Sequence, residues 1–228
     1  GEMVEGPIYF FRPEYDKALP SYGYDPVKAM KLLSEAGWRD SDGDGVLDKI
    51  IDGEKVPFRF EIKVNSGNPT RKSVALTLQD ELRRYGIDAA VRELDWTIFL
   101  GDVKTRKFDA VILGWAMPVS EPDAYQVWHS SQSANNGSNH IAYKNARVDQ
   151  ILEQYRREFD EQKRIALYRE FQQILSDEQP YTFLFVGKSV VAVQRRIHGV
   201  EVLPVGLNPI EWWVPRASQR YGDQETTN

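Results

Sequence analysis

A chain of 228 residues with 41% apolar and 28% charged side chains has ordinary globular proportions, and no uninterrupted apolar run approaches the ~18 residues of a membrane-spanning helix. Collagen-like, wholly disordered and integral helical membrane classes are thereby excluded. With 34 acidic against 29 basic residues the net charge is −5, which gives no overall positive field for nucleic acid or anionic lipid, and the absence of cysteine removes thiol catalysis, zinc–thiolate sites and disulfides together.

Residues 1–24 place Gly6, Pro7, Pro13, Pro20 and Gly23 among Tyr9, Phe10, Phe11, Tyr15 and Tyr22, a pattern that predicts an extended lead-in packed by its rings. The first residues lack the basic start and apolar stretch of a signal peptide. Asp25-Pro26 reads as an N-cap followed by proline at the first helical position, and Val27, Ala29, Met30, Leu32 and Leu33 form an apolar face that ends at Gly37. An acidic loop follows from Asp40 to Asp52. From Pro57 onwards Phe58, Phe60, Ile62 and Val64 alternate with Arg59, Glu61 and Lys63, which predicts a strand with one buried face.

Asn68-Pro69 opens a second helix, with Val74, Leu78 and Leu82 four apart and Gly86 as its stop. Ile87 to Leu94 reads as a strand, Thr97 to Val103 as a helix and Phe108 to Leu113 as a short buried strand. This β-α-β-α-β order predicts an α/β fold with a mixed, largely parallel, right-handed sheet flanked by helices. Residues 114–145, rich in Pro, Ser, Asn, Trp and Tyr, predict a long loop region with one short helix near Asp123 to His129, and long irregular segments inside compact domains are often functional. Two helices follow, one through Val148, Ile151, Leu152 and Tyr155 and one through Ile165, Tyr168, Phe171, Ile174 and Leu175, with Asp160 as the second cap. Pro180 ends the pair. Tyr181 to Val186 and Ser189 to Val193 read as strands around Gly187, and residues 216–228 as a polar, frayed tail beyond a single lobe spanning 1–215.

The sharpest chemical motif is Asp40-Ser41-Asp42-Gly43-Asp44-Gly45-Val46-Leu47-Asp48. Carboxylates at loop positions 1, 3, 5 and 9, glycine at 6 and the Val46 carbonyl at 7 are what a calcium loop uses to wrap oxygens round a hard cation. Position 12 holds Ile51 where a bidentate Glu belongs, and an Asp/Gly turn whose side chains cap backbone amides explains the same residues. A second constellation is Gly114-Trp115-Ala116-Met117-Pro118, after the third strand, followed by Glu121-Pro122-Asp123-Ala124-Tyr125 and Trp128-His129. Ligands gather beyond the carboxyl ends of strands in open α/β sheets, and aromatic rings give stiff contact surfaces; the same tryptophans also serve as core.

Enzyme chemistry finds little in the sequence. His129, His140 and His198 are scattered, and neither a Gly-x-Ser-x-Gly elbow nor a phosphate-binding glycine loop occurs. The basic clusters Lys104-Thr105-Arg106-Lys107 and Gln194-Arg195-Arg196 have no interleaved aromatic platform and read as solvated edges.

Tyr24-Asp25-Pro26-Val27-Lys28-Ala29, Leu32-Leu33-Ser34-Glu35-Ala36-Gly37-Trp38, Gly114-Trp115, Pro122-Asp123, Asn139 to Asn145, Val148-Asp149 and Gln179-Pro180-Tyr181 together give the chain its likeness. It resembles the solute-binding proteins of peptide-type ABC importers, bacterial extracellular solute-binding protein family 5. The resemblance implies one lobe, the C-terminal one, of a two-lobed periplasmic-binding-protein fold (type II, cluster C-like). The N-terminal lobe, the export signal and any lipid anchor then lie outside this chain, and the location is periplasmic or extracellular. It implies reversible capture of a peptide or related small solute for a membrane permease, with no covalent chemistry and no nucleic acid. Carried over, ligand contact falls on the backbone of Gly114, Trp115, Ala116 and Met117, with aromatic walls from Trp115, Tyr125 and Trp128 and a polar group from Asn139. Where relatives place an amine-holding aspartate this chain has Pro118, so the acid would come from Asp123 or Glu121. Calcium at Asp40, Asp42, Asp44, Val46 and Asp48 would be structural. A calcium-dependent interaction module and a carbohydrate-active enzyme are the rival readings.

Overall fold

The computed structural model describes all residues except 117–121, 135–136, 189, 204–205 and 221–228. In chain order its elements are β1 (Glu2–Met3), α1 (Pro26–Glu35), β2 (Asp48–Ile51), β3 (Glu54–Pro57), β4 (Arg59–Asn65), α2 (Pro69–Arg83), β5 (Asp88–Leu94) and α3 (Trp96–Thr105). They continue with β6 (Ala110–Val111), α4 (Tyr125–Trp128), α5 (Ala146–Tyr155), α6 (Glu161–Glu178), β7 (Phe185–Val186), β8 (Val202–Leu203) and β9 (Gly206–Leu207). The described chain forms two compact units, one from Gly1–Leu19 with 160–220 and one from residues 20–116 with 122–159.

The second of these holds the parallel sheet. β4 lies centrally, paired in parallel with β5 from Arg59↔Asp88 to Asn65↔Leu94 and with β6 at Ile62↔Ala110 and Lys63↔Val111. That is the β-α-β-α-β arrangement expected from the sequence. One face of β4 buries Ile62 and Val64 against Ala75 and Ala89, with Phe60, Leu78, Leu82, Val91 and Ile112 packed around them. The other face buries Lys63, whose Nζ donates to Asp102 Oδ2 at 2.9 Å and to the Lys107 carbonyl, so its charge is both paired and hydrogen-bonded. β2 and β3 form an antiparallel hairpin whose first strand lies in the stretch expected as the acidic loop, Asp40 to Asp52, and which turns at Asp52 (φ 51°) and Gly53 (φ 85°). Two consecutive positive φ values are the requirement of a tight hairpin turn, and Asp-Gly is the pair that meets it.

Helix starts follow their caps. Asp25 accepts from Lys28 N at 2.9 Å, Asn68 from Arg71 N at 3.0 Å, and Asn145 from Arg147 N at 2.9 Å and Val148 N at 3.1 Å. In the other unit Asp160 accepts from Lys163 N at 3.0 Å to begin α6. Asp160→Ala is therefore expected to lower stability by about 1 kcal/mol, read as a shifted urea midpoint, whereas Asp160→Asn should retain most of it.

α6 organises the unit to which it belongs, burying Tyr168, Phe171, Gln172 and Leu175. Gln172 ties the lead-in to this helix: its Nε2 donates to the Glu14 carbonyl at 2.7 Å and its Oε1 accepts from Asp16 N at 3.3 Å. The lead-in also contributes β1, antiparallel to β7, and the strand expected over Tyr181 to Val186 is confined to the two residues that pair with it, Phe185–Val186. Ser189 lies outside the described residues, and 190–193 hold no regular element. β8 and β9 pair antiparallel, while His198 and Trp213 exchange backbone hydrogen bonds and stack at 4.7 Å. The boundary expected at Pro215 runs into a short 3-10 turn, Arg216–Ser218, tied back by Gln219 Nε2 to the Val214 carbonyl at 3.1 Å.

Candidate functional site at the carboxyl end of the parallel sheet

Ile112 N donates to the Lys63 carbonyl at 3.1 Å, the last bond before the chain leaves the sheet, and Gly114, Trp115 and Ala116 follow as exposed residues beyond the strand ends. In an open α/β sheet this edge is where ligands bind. A Cβ built on Gly114 would meet only Arg71 Nη2, at 3.6 Å, so a guanidinium lies beside this stretch of backbone. Arg71 projects from the first turn of α2, where its Nη1 donates to Asn65 Oδ1 at 2.6 Å. Among the described residues no carboxylate pairs with it. Its fork keeps donors for an outside acceptor.

Trp115 stacks on His140, ring centres 5.8 Å apart and planes 12° apart, yet stays 40% exposed. The segment carrying His140 is pinned by Arg106, which caps α3 in the left-handed conformation (φ 56°). Its guanidinium donates to the His140 carbonyl at 3.1 Å, the Asn139 carbonyl at 3.3 Å and the Ser133 carbonyl. Burial first, and then the positive charges of Arg106 and Lys104, hold the His140 imidazole below the usual histidine range.

The other expected contacts divide by environment. Asn139 is fully buried; its Nδ2 donates to the carbonyls of Tyr143 at 2.9 Å and His129 at 3.2 Å, and its Oδ1 accepts from Tyr143 N at 2.9 Å. Trp128 is 2% exposed and meets Tyr143 edge-on at 5.9 Å. Tyr125 has Arg156 over its ring at 3.7 Å and His129 stacked at 4.1 Å; two groups that close to one ring centre take opposite faces. Asp123 is exposed and accepts two bonds from that same Arg156, at 2.6 and 3.2 Å. His129 Nδ1 accepts from Ser131 N at 3.1 Å, which puts the ring's hydrogen on Nε2, 3.5 Å from Glu153. Met117 and Glu121 lie outside the described residues.

Asp40, Asp42 and Asp48 bring carboxylate oxygens within 4.8 Å of one another. Asp40 accepts from Gly43 N at 2.7 Å and Gly45 N at 3.0 Å, Asp44 from Val46 N at 2.8 Å, and buried Asp48 from Ser41 N at 2.9 Å and Ser41 Oγ at 2.7 Å. A cation already stands at this cluster: Lys55 Nζ pairs with Asp42 and lies 3.6 Å from Asp48. Asp44 faces Arg59 at 3.7 Å. The oxygens suit a hard divalent ion, which would have to displace the Lys55 ammonium. The Lys55 hydrogen bond lowers the Asp42 pKa, the Ser41 bonds lower that of Asp48, and the Asp42 bond raises that of Lys55. The stability these two carboxylates contribute is present above the ordinary value of 3.8 and is lost as acid takes the pH below it.

Arg71 escaped the sequence reading, which took His140 as one of three scattered histidines and Arg106 as part of a solvated edge, whereas the Arg106 guanidinium is bonded to three loop carbonyls. Arg71 carried a usable signal, since the first turn of a helix that follows a strand faces the ligand side of such a sheet.

A family model described as bacterial extracellular solute-binding proteins, family 5 Middle, matches residues 3–137. The oligopeptide-binding protein AppA of Bacillus subtilis is 32% identical over 218 residues, which is 94% of this chain and 39% of AppA. Di/tripeptide-binding protein 1 of Pseudomonas aeruginosa is 26% identical over 194 residues, 85% of this chain and 34% of that protein. Among solved structures, AppA from B. subtilis in complex with a nonapeptide superposes with a TM-score of 0.79 at 30% identity, covering 94% of this chain and 43% of AppA. NikZ from Campylobacter jejuni in complex with Ni(L-His) does so with a TM-score of 0.66 at 32% identity, covering 75% of this chain and 34% of NikZ. The chain thus spans well under half the length of the relatives it matches. Its fold is the mixed α/β one of these binding proteins, as a partial lobe.

Proposed function

Because the chain belongs to the bacterial extracellular solute-binding proteins, family 5, we propose that it forms part of the substrate-binding component of an ABC importer. It captures an extended peptide or related small solute reversibly and passes it to a membrane permease. The observation that carries this reading is the exposed backbone of Gly114–Ala116 at the carboxyl end of the parallel sheet, flanked by the Trp115 ring and the Arg71 guanidinium. Backbone at such an edge bonds a ligand's main chain as an added strand, which gives affinity without demanding one side-chain sequence. Arg71 then meets an acidic group of the ligand. The names of AppA and of the di/tripeptide-binding protein support a peptide, and NikZ with its nickel–histidine complex shows the breadth of ligand met among relatives.

Residues 1–215 are assigned to ligand capture, with Gly114, Trp115, Ala116 and Met117 as ligand contacts and Asp123, Tyr125, Trp128 and Asn139 as further contributors. In this reading Tyr125, Trp128 and Asn139 act mainly as support, given their internal contacts. Family members are extracellular solute-binding proteins, which supports a periplasmic or extracellular site of action. Among the described residues no helix is long and apolar enough to cross a membrane. Relatives in this family are binding proteins, and capture requires no bond to be made or broken. The comparisons support neither a carbohydrate-active enzyme nor a calcium-dependent interaction module.

Isothermal calorimetry of the full-length protein with an alanine nonapeptide tests the reading. Saturable binding with no change in the recovered peptide is expected; hydrolysis of the peptide, or failure to bind any peptide, would refute it.

The acidic loop is assigned a structural role as a clasp between α1 and β2, whose positive charge comes from Lys55 or, in competition with it, from calcium. Millimolar calcium is expected to raise the melting temperature of Lys55→Met by several degrees more than that of the parent chain, since linkage follows affinity and the ammonium no longer competes. Peptide affinity should be indifferent to chelator. Loss of peptide binding on chelation would instead make the loop a recognition centre.

A further inference from the structure

We propose that Trp115 and His140 form a two-layer aromatic shelf that selects ligands carrying a flat apolar side chain, such as that of Phe, Tyr or Trp, beside the segment paired with Gly114–Ala116. This rests on the ligand-capture reading above and adds to it a specificity-determining residue, His140.

Of the three aromatic residues expected to wall the ligand, Trp115, Tyr125 and Trp128, Trp115 is the one with ring surface to offer. Trp128 is buried, and both faces of Tyr125 are covered by Arg156 and His129. Trp115 remains 40% exposed although its ring lies against His140, and near-parallel planes 12° apart with centres 5.8 Å apart describe an offset stack in which the imidazole backs one edge of the indole. An aromatic side chain laid on the open side of the indole completes an offset stack, the arrangement that the ring quadrupoles favour.

His140 is presented on a rigid support. Its own carbonyl and that of Asn139 are held by the Arg106 guanidinium, its amide donates to the Ser138 carbonyl at 2.9 Å, and the Asn139 side chain is locked by three bonds to backbone. A shelf held this way loses little conformational freedom when a ligand stacks on it, which is how preorganised contacts gain affinity. The charged groups that face the imidazole are Arg106 and Lys104, both cationic, and among the described residues no carboxylate pairs with it. The ring is therefore neutral at pH 7, and the shelf presents an uncharged surface.

The test uses the full-length protein and calorimetry with an alanine nonapeptide and its nine single-Phe variants. At pH 7.5 one or two Phe registers are expected to bind about tenfold more tightly than the alanine peptide, the scale of one good aromatic contact. His140→Ala should reduce that Phe/Ala ratio to below about threefold, and His140→Phe should restore it. The alanine peptide itself should bind His140→Ala nearly as tightly as it binds the parent protein, a selective effect that simple loss of folding would not produce. A Phe/Ala ratio that His140→Ala leaves unchanged, or the absence of any preferred register in the parent protein, overturns the shelf while leaving ligand capture standing. Failure of the parent protein to bind any of the ten peptides overturns the capture reading, and the shelf with it.

Discussion

Asn139→Ala is expected to lower the unfolding free energy by about 3 kcal/mol, moving the urea midpoint with little change in slope. The side chain is fully buried and makes three hydrogen bonds to backbone: Nδ2 to the carbonyls of His129 and Tyr143, and Oδ1 from the amide of Tyr143. Truncation leaves these groups without that partner in a place water does not reach, and each such loss costs about 1–3 kcal/mol. Asn139→Asp should be nearly as damaging, because a carboxylate replaces a donor with an acceptor opposite two carbonyls. A residue that touched ligand instead would behave the other way, weakening affinity at unchanged stability. Measuring both on one variant therefore separates the two roles.

The same residue shows where sequence reasoning ends. An amide in a Ser/Asn-rich loop is equally suited to a ligand and to its own backbone, and only the tertiary path of residues 129–143 decides between them. Elements whose cause is local were legible: Asp25-Pro26, Asn68-Pro69 and Asp160 cap the helices that they announced, and the alternation from Phe58 to Val64 became the central strand. Elements whose cause is distant were not. β1 exists because Glu2–Met3 finds Phe185–Val186 at the far end of the chain, and no local periodicity records that pairing. The β2–β3 hairpin is intermediate: its Asp52-Gly53 turn has a local cause, but it was read only as the end of the acidic loop that runs from Asp40 to Asp52. At the candidate site the position of Gly114-Trp115 followed from strand order alone. Its neighbours Arg71 and His140 arrive from α2 and from the loop before α5, and their convergence is a property of the packed sheet.

Trp115→Ala in the full-length protein is expected to weaken nonapeptide affinity about 100-fold, or about 2.7 kcal/mol, with the melting temperature nearly unchanged. Partial exposure limits what the ring contributes to folding, whereas a ligand that covers it gains its remaining apolar surface and displaces the water there. Gly114→Ala probes the backbone beside it. The added Cβ would lie 3.6 Å from Arg71 Nη2, ordinary van der Waals contact, so the fold accepts it. It nevertheless occupies space between the exposed backbone at Gly114 and the guanidinium, and a loss of about tenfold in affinity is expected, confined to peptides with an acidic group that reaches Arg71. The two variants act on different parts of one ligand, ring contact and charge contact. Their effects on an acidic, Phe-containing peptide should therefore add in free energy, while on an amidated alanine peptide Trp115→Ala should retain an effect and Gly114→Ala should lose most of its own. Unaltered affinity in both variants would place recognition elsewhere and leave the exposed edge at the end of the parallel sheet without a ligand.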